Sequence, residues 1–284
     1  MPWLSTSSAT PCAVYTFDCL ASNSSTPTAI DLVSLDSVVL VTLNFVHCPE
    51  LVIPPHIQNF SYLVGINVKH CGLANWGIDA AITQDSHPRM MFIIFANVSL
   101  SGVPDGIRQN IPYQLADIEF SHTNLSIIPS DLNESWPNVG SLYIEYSDIH
   151  DVPASLMDIT LTDLSLIGNR LETIPALAKL PASIGFVALD NNPLVTLPDT
   201  FDNAEEFVIS EFSAENTNVT TIPSTLLNTD KVHFLYMHGT PYCKTSGEND
   251  QAPVAARLIK VMENACLLKQ IAPLETSDKG LQLS

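Results

Sequence analysis

The sequence predicts an α/β solenoid, a stack of about nine strand-and-turn units that share one parallel β-sheet. Three observations predict it. An apolar triplet with the spacing L-x-x-L-x-L recurs every 22 to 27 residues. Most triplets are followed by an Ile-Pro step or a close variant of it. Between the two sits a turn position occupied mostly by Cys, Asn, Ser or Thr. The clearest unit runs Leu161, Leu164, Leu166, Asn169, Leu171, Ile174, Pro175.

The triplets define nine strands: Leu40/Leu43/Phe45, Leu63/Ile66/Val68, Met90/Ile93/Phe95, Leu115/Ile118/Phe120, Val139/Leu142/Ile144, Leu161/Leu164/Leu166, Ile184/Val187/Leu189, Ile209/Phe212/Ala214 and Val232/Leu235/Met237. Alternate residues of a strand face opposite ways, so the triplets face a shared core and the residues between them face solvent. One unit cannot bury its apolar side alone, so neighbours must stack. The turn residues are Cys48, Cys71, Val98, Thr123, Ser147, Asn169, Asn192, Thr217 and Thr240. Short hydroxyls satisfy loop backbone less fully than Asn does, so an irregular solenoid is expected. After each Pro-containing step comes one apolar anchor: Ile57, Ile107, Leu132, Leu156, Leu177, Phe201 or Leu226. These segments are too short for full helices and read as 3₁₀ turns or brief helices on the far side. The stretch from Leu73 to Met90 is longer and should bulge.

This pattern resembles the leucine-rich repeat family, over roughly residues 35 to 243. The resemblance implies a horseshoe with its parallel sheet on the concave face, of the extracellular type found in receptor-like proteins and receptor-like kinases. It divides the chain into an N-terminal cap region (1–34, with a loop at 21–28), the repeats (35–243), a C-terminal cap (244–271) and a polar tail (272–284). Residues 252 to 268 carry Val254, Leu258, Ile259 and Met262 at helical spacing and read as a capping helix. The family's ends are disulfide-bonded, and Thr240-Pro241-Tyr242-Cys243 resembles the opening of its C-terminal cap, with Thr in place of Asn. The implied bridges are Cys12 with Cys19 and Cys243 with Cys266, which need an oxidising compartment. Cys48 and Cys71 share the turn position of successive repeats, a separation a disulfide could bridge, and read as free thiols, with a bond between them as the alternative. Buried free thiols throughout, in a cytosolic protein, are the alternative.

Charge bounds the partners. Thirty acidic residues stand against 11 basic ones, a net charge of −19. That argues against nucleic acid, whose binding relies on clustered Lys and Arg. No apolar run approaches the length needed to span a bilayer. Residues 1 to 25 lack the basic and apolar regions of a signal peptide, so a fragment, a misplaced start and a soluble member all stay open as expectations. Six N-x-[ST] sequons nevertheless occur, at Asn23, Asn59, Asn97, Asn124, Asn133 and Asn218. With the cysteine pairs they point to an extracellular or cell-surface protein, a cytoplasmic one being the alternative.

No catalytic constellation, metal site or cofactor motif is expected. Asp117 with Glu119, and Glu211 with Glu215, read as a solvated acidic face rather than an acid–base pair. His47, His70 and His122 share one column but lack a carboxylate beside them, so they read as surface. The outward strand positions are the informative ones. Asp117, Glu119, Glu145, Asp163, Asp190, Glu211 and Glu215 form an acidic band, and Tyr143, Phe186, Phe234 and Tyr236 place aromatics within it. Phe92 is a further aromatic in the same outward column. Exposed aromatics among charges favour protein recognition. The expected function is a non-catalytic module holding a protein or peptide ligand of basic character on the concave face. A receptor-like kinase ectodomain fragment and a cytosolic scaffold or enzyme regulator are the alternatives. A glycan on Asn97 would shield the N-terminal part of that face.

Overall fold

The computed structural model describes residues 11–246 apart from 204 and 229. The expected helix over 252–268, Cys266 and the tail from 272 lie outside the described residues. Eleven strands make one parallel sheet. They are β1 (Val14–Asp18), β2 (Thr42–Val46), β3 (Leu51–Val52), β4 (Gly65–Asn75), β5 (Phe92–Leu100), β6 (Asp117–Ser121), β7 (Ser141–Glu145), β8 (Asp163–Ser165), β9 (Ser183–Ala188), β10 (Val208–Ser213) and β11 (Val232–Tyr236). Neighbours in sequence are neighbours in the sheet from β1 to β11, except that the short β3 pairs with the distal part of β4. The sheet is open, and the chain climbs one strand per repeat.

The register matches the triplets. Leu43 pairs with Ile66, Ile66 with Ile93, Ile93 with Ile118, Ile118 with Leu142, and Leu142 with Leu164. The inward residues on either side of each pair are buried, and Phe45, Phe95 and Phe120 fill the core, the last two stacked 4.7 Å apart. β1 was not among the expected strands. It extends the sheet into the N-terminal segment, pairing Phe17 with Phe45 and sealing that end of the core.

The far side is built as the sequence predicts. Short 3₁₀ turns occupy Pro55–Asn59, Ile78–Ala80, Asp105–Ile107, Ala154–Asp158 and Pro175–Lys179, with a one-turn helix at Leu132–Ser135. Proline sets the entry of four of these 3₁₀ turns, the exception being Ile78–Ala80, which is entered from Gly77, and in those four the anchor's N–H bonds back to the carbonyl three residues earlier. Ile57 bonds to Pro54, Ile107 to Pro104, Leu156 to Pro153 and Leu177 to Ile174. The long stretch after Leu73 turns inward as well as bulging. Trp76 is buried against Gly106 with its Nε1 donating to Ala80, and His87 is fully buried with Nε2 2.9 Å from the Ile57 carbonyl.

One backbone feature recurs in every repeat. The residue two positions past the third anchor of each triplet has a positive φ: His47, His70, Asn97, His122, Tyr146, Gly168, Asn191, Asn216 and Gly239. This left-handed step swings the chain off the sheet into the turn. At the turn, Asn does most. Asn192 donates to the carbonyls of Leu166 and Leu189 and accepts from the Leu171 N–H, linking two repeats. Asn169 does the same one repeat earlier. Thr217 and Thr240 donate to a carbonyl of their own repeat, Ala214 and Met237 respectively.

Two cysteine expectations are corrected. Cys19 is bonded to Cys48, not to Cys12. The extended strand β1 separates Cys12 from Cys19, and Cys12 is a partly exposed free thiol. Cys48 is therefore not free, whereas Cys71 is a buried free thiol. Cys243, in the helix Pro241–Ser246, is disulfide-bonded.

Candidate binding surface

Three outward columns cross the concave face in strict register. The middle one runs Thr16, Asn44, Asn67, Ile94, Glu119, Tyr143, Ser165, Ala188, Ser213, Tyr236. Beside it Gly65, Phe92, Asp117, Ser141, Asp163, Phe186, Glu211 and Phe234 line up. On the other side Asp18, Val46, Lys69, Ala96, Ser121 and Glu145 align through β7. Neighbouring side chains in a column are one strand apart, about 4.8 Å.

The face has two chemical halves. In the N-terminal half, amides bond each other: Asn67 donates to Asn44 at 2.8 Å, and Asn44 donates to Thr16 at 3.0 Å. Phe92 lies across Gly65, and its ring fills the space a Cβ there would need. The other half is acidic, from Asp117 onward.

Asp117, Glu119, Tyr143, Glu145 and Asp163 sit together on β6, β7 and β8, all half-buried. Burial raises the Asp117 pKa, and the nearby Asp163 charge raises it further. Its Oδ1 is buried without a hydrogen-bond partner. Burial, then the charges of Asp117 and Glu145, push Glu119 up to about 7, against a lowering pull from Lys69. Burial, then Asp163 and Asp117, push Tyr143 up to about 12. Carboxylates packed this closely disfavour one another's charge. An incoming cation would reverse that penalty. Asp163 and Glu145 are partly compensated. Asp163 accepts from Thr162 and Ser141, and Glu145 accepts from Ser165 at 2.5 Å.

Further along, acids and aromatics alternate strand by strand: Asp163, Phe186, Glu211, Phe234. Phe234 is the most exposed of them at 59%. Two expected site residues behave differently. Asp190 and Glu215 are buried, at 7% and 9%, and Asp190 Oδ1 accepts from the Ser213 hydroxyl and the Glu215 N–H. They tie adjacent repeats together. Ser165, Ala188 and Ser213 are also fully buried, so the middle column is recessed there.

The sequence places His47, His70 and His122 in one surface column at the rim with no carboxylate beside it, whereas the structure sets Asp18 against His47. His47 stacks on His70 and His122 on Tyr146, with ring centroids 5.5 and 4.7 Å apart. His47 meets Asp18 at 3.2 Å, and Asn97 Nδ2 lies 2.8 Å from His70 Nδ1. The signal was present, since His, Asn, Tyr or Gly follows the third-column residue of every repeat from Val46 onward. Among the described residues, no group of three or more His, Cys, Asp or Glu is placed to hold a metal ion. The sequon residues Asn23, Asn59, Asn97, Asn124 and Asn218 are exposed, and Asn133 is partly so. Of the guanidinium groups, Arg108 binds Asp131 and Asp105, and Arg170 binds Asp148, all away from the three columns.

Known proteins share parts of this pattern. No family model matches the sequence. The chain is 29% identical to fibromodulin of Oryctolagus cuniculus over 94 residues, which is 32% of this chain and 61% of that protein. Fibromodulin of Sus scrofa is 28% identical over the same length. The match thus spans under two thirds of either relative. The nine in-register triplets on one parallel sheet make the chain a leucine-rich repeat solenoid, and these matches support that family. The crystal structure of the leucine-rich repeat domain of APL1B is also similar, with a TM-score of 0.48 and 15% identity, covering 72% of this chain and 63% of that one. Among the described residues of this leucine-rich repeat protein, no helix is long and apolar enough to cross a membrane.

Proposed function

We propose that this leucine-rich repeat protein is a non-catalytic recognition module. It holds an extended, basic polypeptide against the acidic, aromatic half of its concave face, from β6 to β11. The observation that carries the reading is the strand-by-strand alternation of Asp163, Phe186, Glu211 and Phe234, continuous with the carboxylates of Asp117 and Glu119. Aromatic rings supply apolar contact and cation–π attraction, and the acids between them supply charge. Tyr143 and Tyr236 are the anchors of the middle column. Asp190 and Glu215 support the surface and do not form it. The setting is extracellular or cell-surface, supported by the disulfide chemistry of Cys19, Cys48 and Cys243.

A fluorescent lysine- and arginine-containing decapeptide tests this by anisotropy. Tyr143→Ala and Tyr236→Ala should each weaken binding by roughly 1 kcal/mol, about fivefold. Added salt should weaken it further, and an acidic peptide of equal length should not bind. Equal affinity for both peptides, or unchanged affinity in both variants, rejects the site.

A further inference from the structure

Three sulfurs lie in one row at the end of β1, β2 and the concave part of β4. Cys19 follows Asp18, Cys48 is two residues past Val46, and Cys71 is two residues past Lys69, where Asp18, Val46 and Lys69 are register partners. Cys19 and Cys48 form the disulfide. Cys71 keeps its thiol, is 5% exposed, and takes the Cys48 backbone N–H on its sulfur at 3.3 Å. The Gly72 N–H in turn bonds the Cys48 carbonyl at 2.8 Å, which keeps the two turns in step. Equivalent residues on adjacent parallel strands lie about 4.8 Å apart, within the Cα separation that a disulfide spans. Cys19 is two strands from Cys71, about 10 Å, and beyond that span.

We infer that Cys71 is an exchange thiol for the Cys19–Cys48 disulfide, so that Cys48 can hold either the N-terminal cap or the next repeat. In the exchange Cys71 gives its proton to solvent. The thiolate attacks the Cys48 sulfur, the Cys48–Cys71 bond forms and the Cys19–Cys48 bond breaks. Cys19 departs as a thiolate and takes up a proton. One disulfide and one thiol remain, so no oxidant or reductant is consumed. Burial raises the Cys71 pKa, which keeps the thiol protonated and the exchange slow near neutral pH. After exchange, β1 is held to β2 by backbone hydrogen bonds and by the burial of Phe17, without a covalent tie. The cap then has a locked and a released state, selected by which neighbour Cys48 holds.

The test uses the full chain, purified oxidised. It is incubated between pH 7 and 9, quenched in acid, alkylated with N-ethylmaleimide and mapped by mass spectrometry without reduction. A Cys48–Cys71 peptide should accumulate with alkylated Cys19, about tenfold faster per pH unit below the thiol pKa. Cys71→Ser should keep Cys19–Cys48 intact throughout. A second variant guards against misfolding of the first: Cys19→Ser should form Cys48–Cys71 during oxidative folding. If, of Cys19, Cys48 and Cys71, only Cys71 is alkylated in the wild type at every pH, beside the free Cys12, and Cys19→Ser leaves Cys48 and Cys71 both as thiols, the inference is overturned.

Discussion

Ser213 donates its hydroxyl to Asp190 at 2.6 Å, and both residues are buried beneath the concave face. The same carboxylate oxygen takes the Glu215 N–H. Asp190 thus clamps the end of one repeat to the next. Removing it leaves a buried hydroxyl and an N–H without their acceptor, at a cost of about 2–3 kcal/mol. Asp190→Ala should lower the urea midpoint by that measure, while its folded fraction binds the basic peptide much as the wild type does. A large affinity loss without a stability loss would place Asp190 in the binding surface instead.

Glu119 should make stability and binding depend on pH in opposite ways. Its folded pKa, about 7, lies above the usual 4.5. Its contribution is therefore fully present below pH 4.5 and is lost as pH rises through 7. Glu119→Gln should melt higher than the wild type at pH 8 and equally at pH 4.5. Binding of the basic peptide by the wild type should strengthen between pH 6 and 8, and that slope should flatten in the variant. Parallel profiles for the two proteins would remove Glu119 from the account.

His87 should act in the other direction. Burial lowers its pKa, and its Nδ1 is buried without a partner. The folded state therefore resists the proton that the unfolded chain accepts below about pH 6.5. Stability at this site is full above pH 6.5 and falls as pH drops toward the folded pKa. In urea titrations at pH 7.5 and 5.5, the wild type should lose more stability than His87→Gln, whatever the shared carboxylates contribute. An equal loss in both proteins would show that His87 titrates normally.

Gly168 should resist any side chain. Its φ is +70°, and a Cβ there would stand 2.4 Å from the Tyr146 ring. Gly168→Ala should destabilise by roughly 1–2 kcal/mol for the backbone alone, more if Tyr146 must move. Thermal melts of Gly168→Ala in the wild type and in a Tyr146→Ala background separate the two effects. No loss in the wild-type background would contradict the geometry.

The concave columns were legible from sequence because the triplets set inward and outward positions for every strand, and no register slip intervenes. What escaped depended on neighbours in space. β1 lacks the full triplet: Tyr15 and Phe17 take the second and third anchor positions, but Cys12 stands where the other strands have their first. Without β1 as a strand, Cys12 and Cys19 looked adjacent and Cys19 could not be placed beside Cys48. Asp190 and Glu215 looked like exposed acids because alternation says which way a side chain points, not what lies around it. The left-handed step went unrecognised because His, Tyr, Asn and Gly share a tolerance for that backbone and little else.

Because the sheet advances by one strand per repeat, the concave face is also a ruler. From β6 to β11 there are five strand spacings, about 24 Å at 4.8 Å each, the length of about seven residues of extended chain. A partner shorter than that leaves acids uncovered, and a longer one overhangs the neutral amides of Asn44 and Asn67. On the proposed function, the number of repeats, more than any single side chain, sets the length of polypeptide this surface can accompany.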